Sequence, residues 1–198
     1  MAKLIFASKN EGKVREFREF LTPLGIEVVS LNELTNVPEI IEDGHTFEEN
    51  ATIKAQTIAD AMNVPVVAED AGLTVDALDG APGIYSARYA GDHDDAANNA
   101  KLLKELANTP DAERTAAFHA VIVALKPNGK KLVAEGVVDG RILHDAQGAG
   151  GFGYDPLFYY EPFQKTLAEL TPAEKNDISH RGAALRQFMT DFNAWWEE

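Results

Sequence analysis

The most informative absence in this sequence is cysteine, of which the 198 residues contain none. A disulfide framework and a thiolate zinc site are therefore both excluded. No apolar run approaches the roughly 20 residues that a membrane-spanning helix needs. The first apolar stretch, residues 3–7, is short and Glu11 soon follows it, which predicts a strand rather than a signal peptide. These absences predict a cytoplasmic protein with no membrane partner.

Positive charge is also scarce, with 18 Lys and Arg against 32 Asp and Glu and a formal net charge of −14. Nucleic acid is disfavoured as a partner, because contacts to phosphate dominate its affinity for proteins. A small anionic substrate is still compatible with this charge if cations or a metal ion gather locally. The hydrophobic fraction of 45% supports a real core, and the length suits one domain over residues 1–198, or one domain with a smaller lobe.

Predicted strands and helices alternate along the chain. Thr46 is the expected N-cap of one helix, with Glu49 three residues later as a capping box requires. Residues 127–129, Pro-Asn-Gly, favour a hairpin turn. Together these patterns predict an α/β fold with a mixed sheet. Strands are expected at 3–7, 26–31, 64–68, 114–126, 131–138 and 157–160, and helices at 14–24, 46–62, from about 95 to 106, and 173–196.

The segment Ser8–Lys13 lies between the first predicted strand and the first predicted helix. A helix start presents backbone N–H groups at its positive end, which favours phosphate. Gly12 permits close approach of the backbone, and Lys9 and Lys13 add positive charge. The P-loop spacing is absent. The segment predicts a phosphate site, and the alternative is a plain helix cap with solvated lysines.

Two acidic segments are candidates for a metal site. Glu69 and Asp70 end an apolar strand, where α/β proteins place ligands, and adjacent strand residues point to opposite faces. Hence one carboxylate is expected to serve the site and the other the surrounding structure. Glu42 lies in the acidic loop 39–44. Carboxylate oxygens suit Mg²⁺. The alternatives are an acidic capping turn and a solvated loop.

The glycine-rich loop 148–156 and the segment 175–182 are candidates for binding a base. Phe152 and Tyr154 have rings that can stack on one, and Asp155 can accept a hydrogen bond from it. His180 and Arg181 are expected in the first turn of a helix capped by Ser179 or Asp177. A cation is disfavoured there, so an anion or a base carbonyl would offset the cost. The alternatives are a flexible loop with buried aromatics and a structural histidine.

Two further clusters are discounted. Asp92-His93-Asp94-Asp95 resembles a metal-binding run, but it is expected to cap the helix that follows. His119 lies within an apolar strand and is expected to be packed or to face the surface.

The order and spacing of these motifs resemble the inosine/xanthosine triphosphate pyrophosphatase family over most of the chain. The runs 80–89 and 152–155 are highly specific to that family. The matching segments are 6–13 (FASKNEGK), 46–51 (TFEENA), 68–73 (AEDAGL), 80–89 (GAPGIYSARY), 151–156 (GFGYDP) and 178–182 (ISHRG). The resemblance implies a two-lobed α/β fold with a long mixed sheet and a cleft, a homodimer, Mg²⁺ dependence, and hydrolysis between the α and β phosphates.

The resemblance also implies a role for each matching residue. Asp70 would be the general base and would share the metal ion with Glu42, while Arg181 and His180 would recognise the 6-oxo edge of a purine. Two departures concern Ser8, where the family often has Thr, and Ala71, where it often has Ser. The implied substrate-binding residues are Ser8, Lys9, Asn10, Glu11, Gly12, Lys13, Ala71, Phe152, Gly153, Tyr154, Asp155, Lys175, His180 and Arg181.

The sequence leaves three alternative functions to consider. A pyrophosphatase for another nucleotide, such as dUTP, shares most of the expected chemistry. A nucleotide-binding regulator without catalysis would not need a metal-held base. A nucleic-acid-binding protein is disfavoured by the net charge of −14. The run 83–89 is compatible with either a dimer surface or a wall of the cleft.

Overall fold

The computed structural model describes residues 2–197, which contain seven strands and five α-helices. Short 3₁₀ turns connect several of them. The strands are β1 (Ala2–Phe6), β2 (Ile26–Ser30), β3 (Val66–Val75), β4 (Thr115–Leu125), β5 (Lys131–Ile142), β6 (Phe158–Tyr160) and β7 (Lys165–Thr166). The helices are α1 (Glu11–Leu21), α2 (Phe47–Met62), α3 (Asp95–Glu105), α4 (Pro172–Ile178) and α5 (His180–Glu197).

The seven strands form one mixed sheet in the order β2-β1-β3-β4-β5-β6-β7. β1 is parallel to both of its neighbours, whereas β6 is antiparallel to β5 and β7. The turn between β4 and β5 is closed by a hydrogen bond from Lys126 N to Lys130 O. The prediction of an α/β fold with a mixed sheet is confirmed. Within residues 2–197, no helix is both long and apolar enough to cross a membrane.

The chain divides into two units, of which unit 1 comprises Met1–Asp70, Ala120–Gly136 and Ala184–Glu198. Its core contains one face of α2, where Ala51, Ala55 and Ile58 are fully buried. They follow helical spacing, so this face packs with buried strand residues such as Val66 and Val123. Burial of this apolar face fixes the position of α2 in unit 1.

Unit 2 comprises Ala71–His119 and Val137–Ala183. Its core includes Leu102 and Leu106, at the end of α3 and just after it, with Phe118 of β4 and Phe158 of β6. The rings of Phe118 and Phe158 lie 4.7 Å apart. Packing of this kind anchors α3 and the strand that follows the glycine-rich loop.

Several predicted boundaries were wrong. β5 runs to Ile142 instead of residue 138, and the helix expected at 173–196 is two helices, α4 and α5, separated at Ser179.

Two other differences affect the candidate site. α1 begins at Glu11 instead of residue 14, because Asn10 caps it: the side chain of Asn10 accepts a hydrogen bond from Lys13 N. β3 continues through Glu69 and Asp70 to Val75, so the two carboxylates lie in mid-strand and not at a strand end. Gly72 does not stop the strand, because Gly72 itself and Leu73 are buried.

Candidate functional site

The predicted phosphate segment connects β1 to α1 in unit 1. Gly12 and Lys13 occupy the first turn of the helix, so their N–H groups lie at its positive end. The loop is fixed by its own polar groups, since Asn10 N donates to Ser8 Oγ at 3.1 Å and Leu31 N donates to Ser8 O at 3.1 Å. Lys9 is exposed. This segment has the backbone and charge that a polyphosphate group requires.

Lys13 forms an ion pair with one of the two adjacent carboxylates of β3. Its ammonium lies 3.7 Å from a carboxylate oxygen of Glu69, whose side chain is fully buried. The neighbouring Asp70 contacts Lys54 instead. The expected division of Glu69 and Asp70 between two faces of the strand agrees with these different partners.

Lys54 of α2 joins the two predicted metal ligands. Its Nζ donates to Asp70 Oδ1 at 2.8 Å and to Glu42 Oε2 at 2.8 Å. Burial by itself lowers the pKa of the Lys54 ammonium, but the charges of Asp70 and Glu42 outweigh that effect. The pKa of Lys54 therefore lies above that of an exposed lysine, and the group is a cation held between two anions.

Asn50 links the acidic loop to the same carboxylate. It lies one helical turn before Lys54 on α2 and is fully buried. Its Nδ2 donates to Asp70 Oδ2 at 3.4 Å, and its Oδ1 accepts from Gly44 N at 2.9 Å. A Cβ at Gly44 would lie 2.7 Å from that Oδ1, so only glycine fits here. Asn50 thus holds the acidic loop and Asp70 together.

The positions of the Glu42 and Asp70 carboxylates in the structure fit a shared divalent cation. Both already contact one cationic atom, the Nζ of Lys54, so they are close enough to share a positive charge. Two carboxylates and substrate phosphates are a common ligand set for Mg²⁺. Among residues 2–197, no three acidic or histidine side chains gather as a complete metal cage. The donor set therefore suits a metal ion that phosphate helps to hold.

The glycine-rich loop of unit 2 is folded around the carboxylate of Asp155. Gly151 and Gly153 flank Phe152 and have φ of +70° and +61°. Phe152 N donates to Asp155 Oδ2 at 2.9 Å. A Cβ at Gly151 would lie 2.1 Å from the same oxygen. We refer to residues 151–155 as the aromatic loop.

Tyr154 is buried, and its hydroxyl donates to Ser86 O at 2.8 Å. Burial is the main reason that the pKa of Tyr154 is raised well above that of an exposed tyrosine, and nearby negative charge on Asp95 and Glu105 adds to it. The phenol therefore remains a neutral hydrogen-bond donor. Its ring is part of the unit 2 core, so Tyr154 anchors the loop.

Two cations lie near the ring of Phe152. The ammonium of Lys175 is 4.8 Å from the ring centroid and the guanidinium of Arg181 is 5.5 Å from it. Lys175 Nζ also donates to Asp155 Oδ2 at 2.7 Å, with both side chains buried. This cluster combines an aromatic face with hydrogen-bond donors. Such groups can stack on a planar heterocycle and donate to its carbonyl oxygens.

His180 and Arg181 open α5, as the sequence predicted. Gly182 N donates to Ser179 Oγ at 3.1 Å, so Ser179 and not Asp177 provides the cap, while Asp177 lies inside α4. The imidazole of His180 stacks on Phe118, with ring centroids 4.8 Å apart. Of the predicted base-binding residues, the structure gathers Phe152, Asp155, Lys175 and Arg181 through direct contacts with one another.

Sequence reasoning missed several contributors to these clusters. Asn50 and Lys54 lie inside α2. Their spacing of four residues, which places both on one face of the helix, was the signal that could have identified them. Asp94 caps α3 as predicted, but its neighbour Asp95 bonds to Gly153 N. The discounted His119 bonds to Thr74 at 3.0 Å.

Comparison with known proteins shows relatives along the whole chain. The Ham1 family model matches residues 4–191. A dITP/XTP pyrophosphatase of Lactiplantibacillus plantarum is 60% identical over 193 residues, which are 98% of this chain and 96% of that protein. A dITP/XTP pyrophosphatase of Leuconostoc mesenteroides is 50% identical and covers 98% of both chains.

Solved structures agree with the sequence comparison. A HAM1 protein from Coxiella burnetii superposes with a TM-score of 0.87 at 44% identity, covering 98% of this chain and all of that one. The Ham1 protein of Staphylococcus aureus gives a TM-score of 0.85 at 41% identity, with 97% and 98% covered. With the family model matched over nearly all residues and close relatives aligned end to end, this chain belongs to the Ham1 family.

Proposed function

We propose that this chain is a Mg²⁺-dependent nucleoside triphosphate pyrophosphohydrolase. It converts deaminated purine nucleotides, namely ITP, dITP and XTP, to the nucleoside monophosphate and pyrophosphate. Family membership and relatives described as dITP/XTP pyrophosphatases support the reaction. The observation that carries this proposal is that Glu42 and Asp70 both contact the ammonium of Lys54. This pair lies in the same unit as a helix start suited to phosphate.

Unit 1 supplies the groups for the phosphoryl chemistry. Asp70 accepts a proton from water, the water oxygen bonds to the α-phosphorus, and the bond from that phosphorus to the bridging oxygen breaks. Lys9, Lys13 and the first N–H groups of α1 stabilise the departing pyrophosphate. Glu42 and Asp70 would hold Mg²⁺, which would neutralise negative charge on the phosphates when bound. Ser8, Asn10 and the backbone N–H groups of Glu11 and Gly12 complete the phosphate contacts. The backbone N–H of Ala71, the first residue of unit 2, adds a contact to the substrate.

Unit 2 supplies the groups for base selection. Phe152, Gly153 and Asp155 line the base, with Lys175 and His180 beside them. Tyr154 contributes its backbone and not a stacking ring, because that ring is buried in the unit 2 core. Arg181 donates to the 6-oxo group of hypoxanthine or xanthine. An adenine would present an amino donor to the same guanidinium and leave both donors without an acceptor, which discriminates strongly when the groups are buried.

A substrate panel tests the function. Pyrophosphate release is measured from ITP, XTP, dUTP and GTP, with and without Mg²⁺. We expect ITP and XTP to be hydrolysed in the presence of Mg²⁺ and dUTP to be a poor substrate. GTP has the same 6-oxo group as ITP, so poor turnover of GTP would indicate a second selection at position 2 of the purine. Preferred hydrolysis of dUTP would instead identify a pyrimidine nucleotide enzyme, and tight ITP binding without hydrolysis would identify a regulator.

Replacing Asp70 with Asn tests the assignment of the base. We expect kcat for ITP to fall by about 10²–10⁴-fold, the usual contribution of a positioned acid or base. Circular dichroism should show a folded protein. The matched control is Asp60→Asn, an exposed position on α2 whose carboxylate accepts a hydrogen bond from the side chain of Gln56. Full ITP turnover by Asp70→Asn would remove Asp70 from this role.

A further inference from the structure

The peptide of Gly153 is held from both sides by α3. Its N–H donates to Asp95 Oδ2 at 2.7 Å, and its carbonyl oxygen accepts from Asn99 Nδ2 at 2.9 Å. Asp95 and Asn99 are four residues apart, so they lie on one face of the helix. We call this pair of side chains the Gly153 clamp.

The clamp restrains the peptide between Phe152, whose N–H donates to Asp155, and the buried Tyr154. Gly153 has a φ of +61°, and no heavy atom lies within 4 Å of the place where a Cβ would be, so no side-chain contact restrains it. Glycine has wide conformational freedom. The two hydrogen bonds therefore set the direction of the chain immediately after Phe152.

The orientation of the Asn99 amide follows from its partner. The carbonyl of Gly153 can only accept, so the amide nitrogen of Asn99 must face it. The Asn99 Oδ1 is then buried with no hydrogen-bond donor from the part of the chain that the structure describes. Burying an acceptor in this way lowers stability, which favours a functional reason for Asn99 over a stabilising one.

We propose that Asp95 and Asn99 are positioning residues for recognition of the base. They hold the Gly153 peptide and thereby orient the ring of Phe152 beside Arg181 and Lys175. The proposal rests on the proposed function, because it assigns the aromatic loop to the purine. It adds α3 to the elements that determine affinity for the substrate, although neither side chain needs to touch the nucleotide.

Asp95→Ala and Asn99→Ala separate base positioning from phosphate chemistry. We expect each to raise the KM for ITP about 10-fold, as small misplacements of binding groups do. We expect kcat to stay within about 2-fold, since an interaction lost equally from ground and transition states changes KM alone. Inhibition by tripolyphosphate, which lacks a base, should keep its inhibition constant.

Conservative variants provide the rescue. Asp95→Asn keeps an acceptor for Gly153 N, and we expect its KM to rise by less than about 3-fold. Asn99→Asp keeps the shape of the side chain but loses the donor, so it should match Asn99→Ala. Asp92→Asn is the matched control, because Asp92 is an exposed carboxylate whose recorded ion pair is to His93.

Hydrogen exchange separates this proposal from the proposed function. In the Ala variants, the amides of residues 152–154 should exchange faster than in the wild type, whatever the enzyme hydrolyses. If the wild type hydrolyses no ITP, the proposed function fails while exchange still reports on the clamp. An unchanged KM in both Ala variants, or an equal rise in KM and the tripolyphosphate constant, would overturn the positioning role.

Discussion

Lys54 holds two carboxylates that repel each other. Removing the ammonium by Lys54→Met leaves Glu42 and Asp70 facing each other with little solvent, and breaking a buried pair of this kind typically costs about 3–5 kcal/mol. We expect a clear fall in the free energy of unfolding, measured by urea denaturation. Lys131→Met is the control, because its pair with Glu48 is partly exposed and such pairs contribute about 1 kcal/mol or less.

The same variant reports on the metal site. In Lys54→Met, Glu42 and Asp70 lose the ammonium that both of them contact, so Mg²⁺ should raise the melting temperature of this variant more than that of the wild type. Equal shifts in the two proteins would argue against these carboxylates as the metal ligands.

Tyr154 makes the stability of the protein sensitive to alkaline pH. Its folded pKa is raised above the unfolded value of about 10, so its contribution to stability is complete below that value and is lost as pH rises through the folded pKa. We expect Tyr154→Phe to lose the bond to Ser86 O and to show a shallower decline in stability above about pH 10. Tyr85→Phe, at an exposed position, should decline like the wild type.

At the scale of elements, the aromatic loop depends on Gly151, because no side chain fits at that position. Gly151→Ala places a Cβ against Asp155 Oδ2, which should break the hydrogen bond that Phe152 N donates to that oxygen. We expect a higher KM for ITP and a lower melting temperature. Gly129→Ala is the matched control, since Gly129 has a φ of +86° but open space around it.

That control isolates the collision from the backbone strain. The positive φ at Gly129 should cost about 1 kcal/mol or more of stability with no change in the KM for ITP. If both glycine variants raised the KM equally, the collision with Asp155 would not explain the effect.

Most elements could be predicted because each has a local signal. α2 has the cap Thr46 and helical apolar spacing, and the structure places its bounds as expected. The predicted strand β3 ended too early, because Glu69, Asp70 and Gly72 have low strand propensity. Pairing within the sheet overrides propensity there, and pairing with distant strands has no local signal.

The contacts of the candidate site divide in the same way. Which residues bear the chemistry followed from motifs such as 8–13 and 151–155. The pairing of each cation with its carboxylate could not be predicted from motifs, because Lys54 contacts Glu42 and Asp70 across separations of 12 and 16 residues. The Gly153 clamp spans more than fifty residues and likewise required the fold.

At the scale of the whole molecule, the resemblance predicts a homodimer. Light scattering should give twice the chain mass of 21.6 kDa. Tyr85 is 56% exposed in the run 83–89, so a charge at this position separates the two interpretations of that run. If the run forms the dimer surface, Tyr85→Glu should halve the mass, and if it lines the substrate site, the mass should hold while the KM rises. The cytoplasmic location stays a prediction.

Glu69 and Asp70 are consecutive residues of β3, and each has its own lysine, Lys13 from α1 and Lys54 from α2. Side chains alternate along a strand with a period of two, so inserting or deleting one residue ahead of this pair would exchange their faces. Asp70 would then meet the lysine of the polyphosphate segment, and the longer glutamate would meet the ammonium beside Glu42. Length changes within this strand would therefore preserve both ion pairs only in steps of two residues.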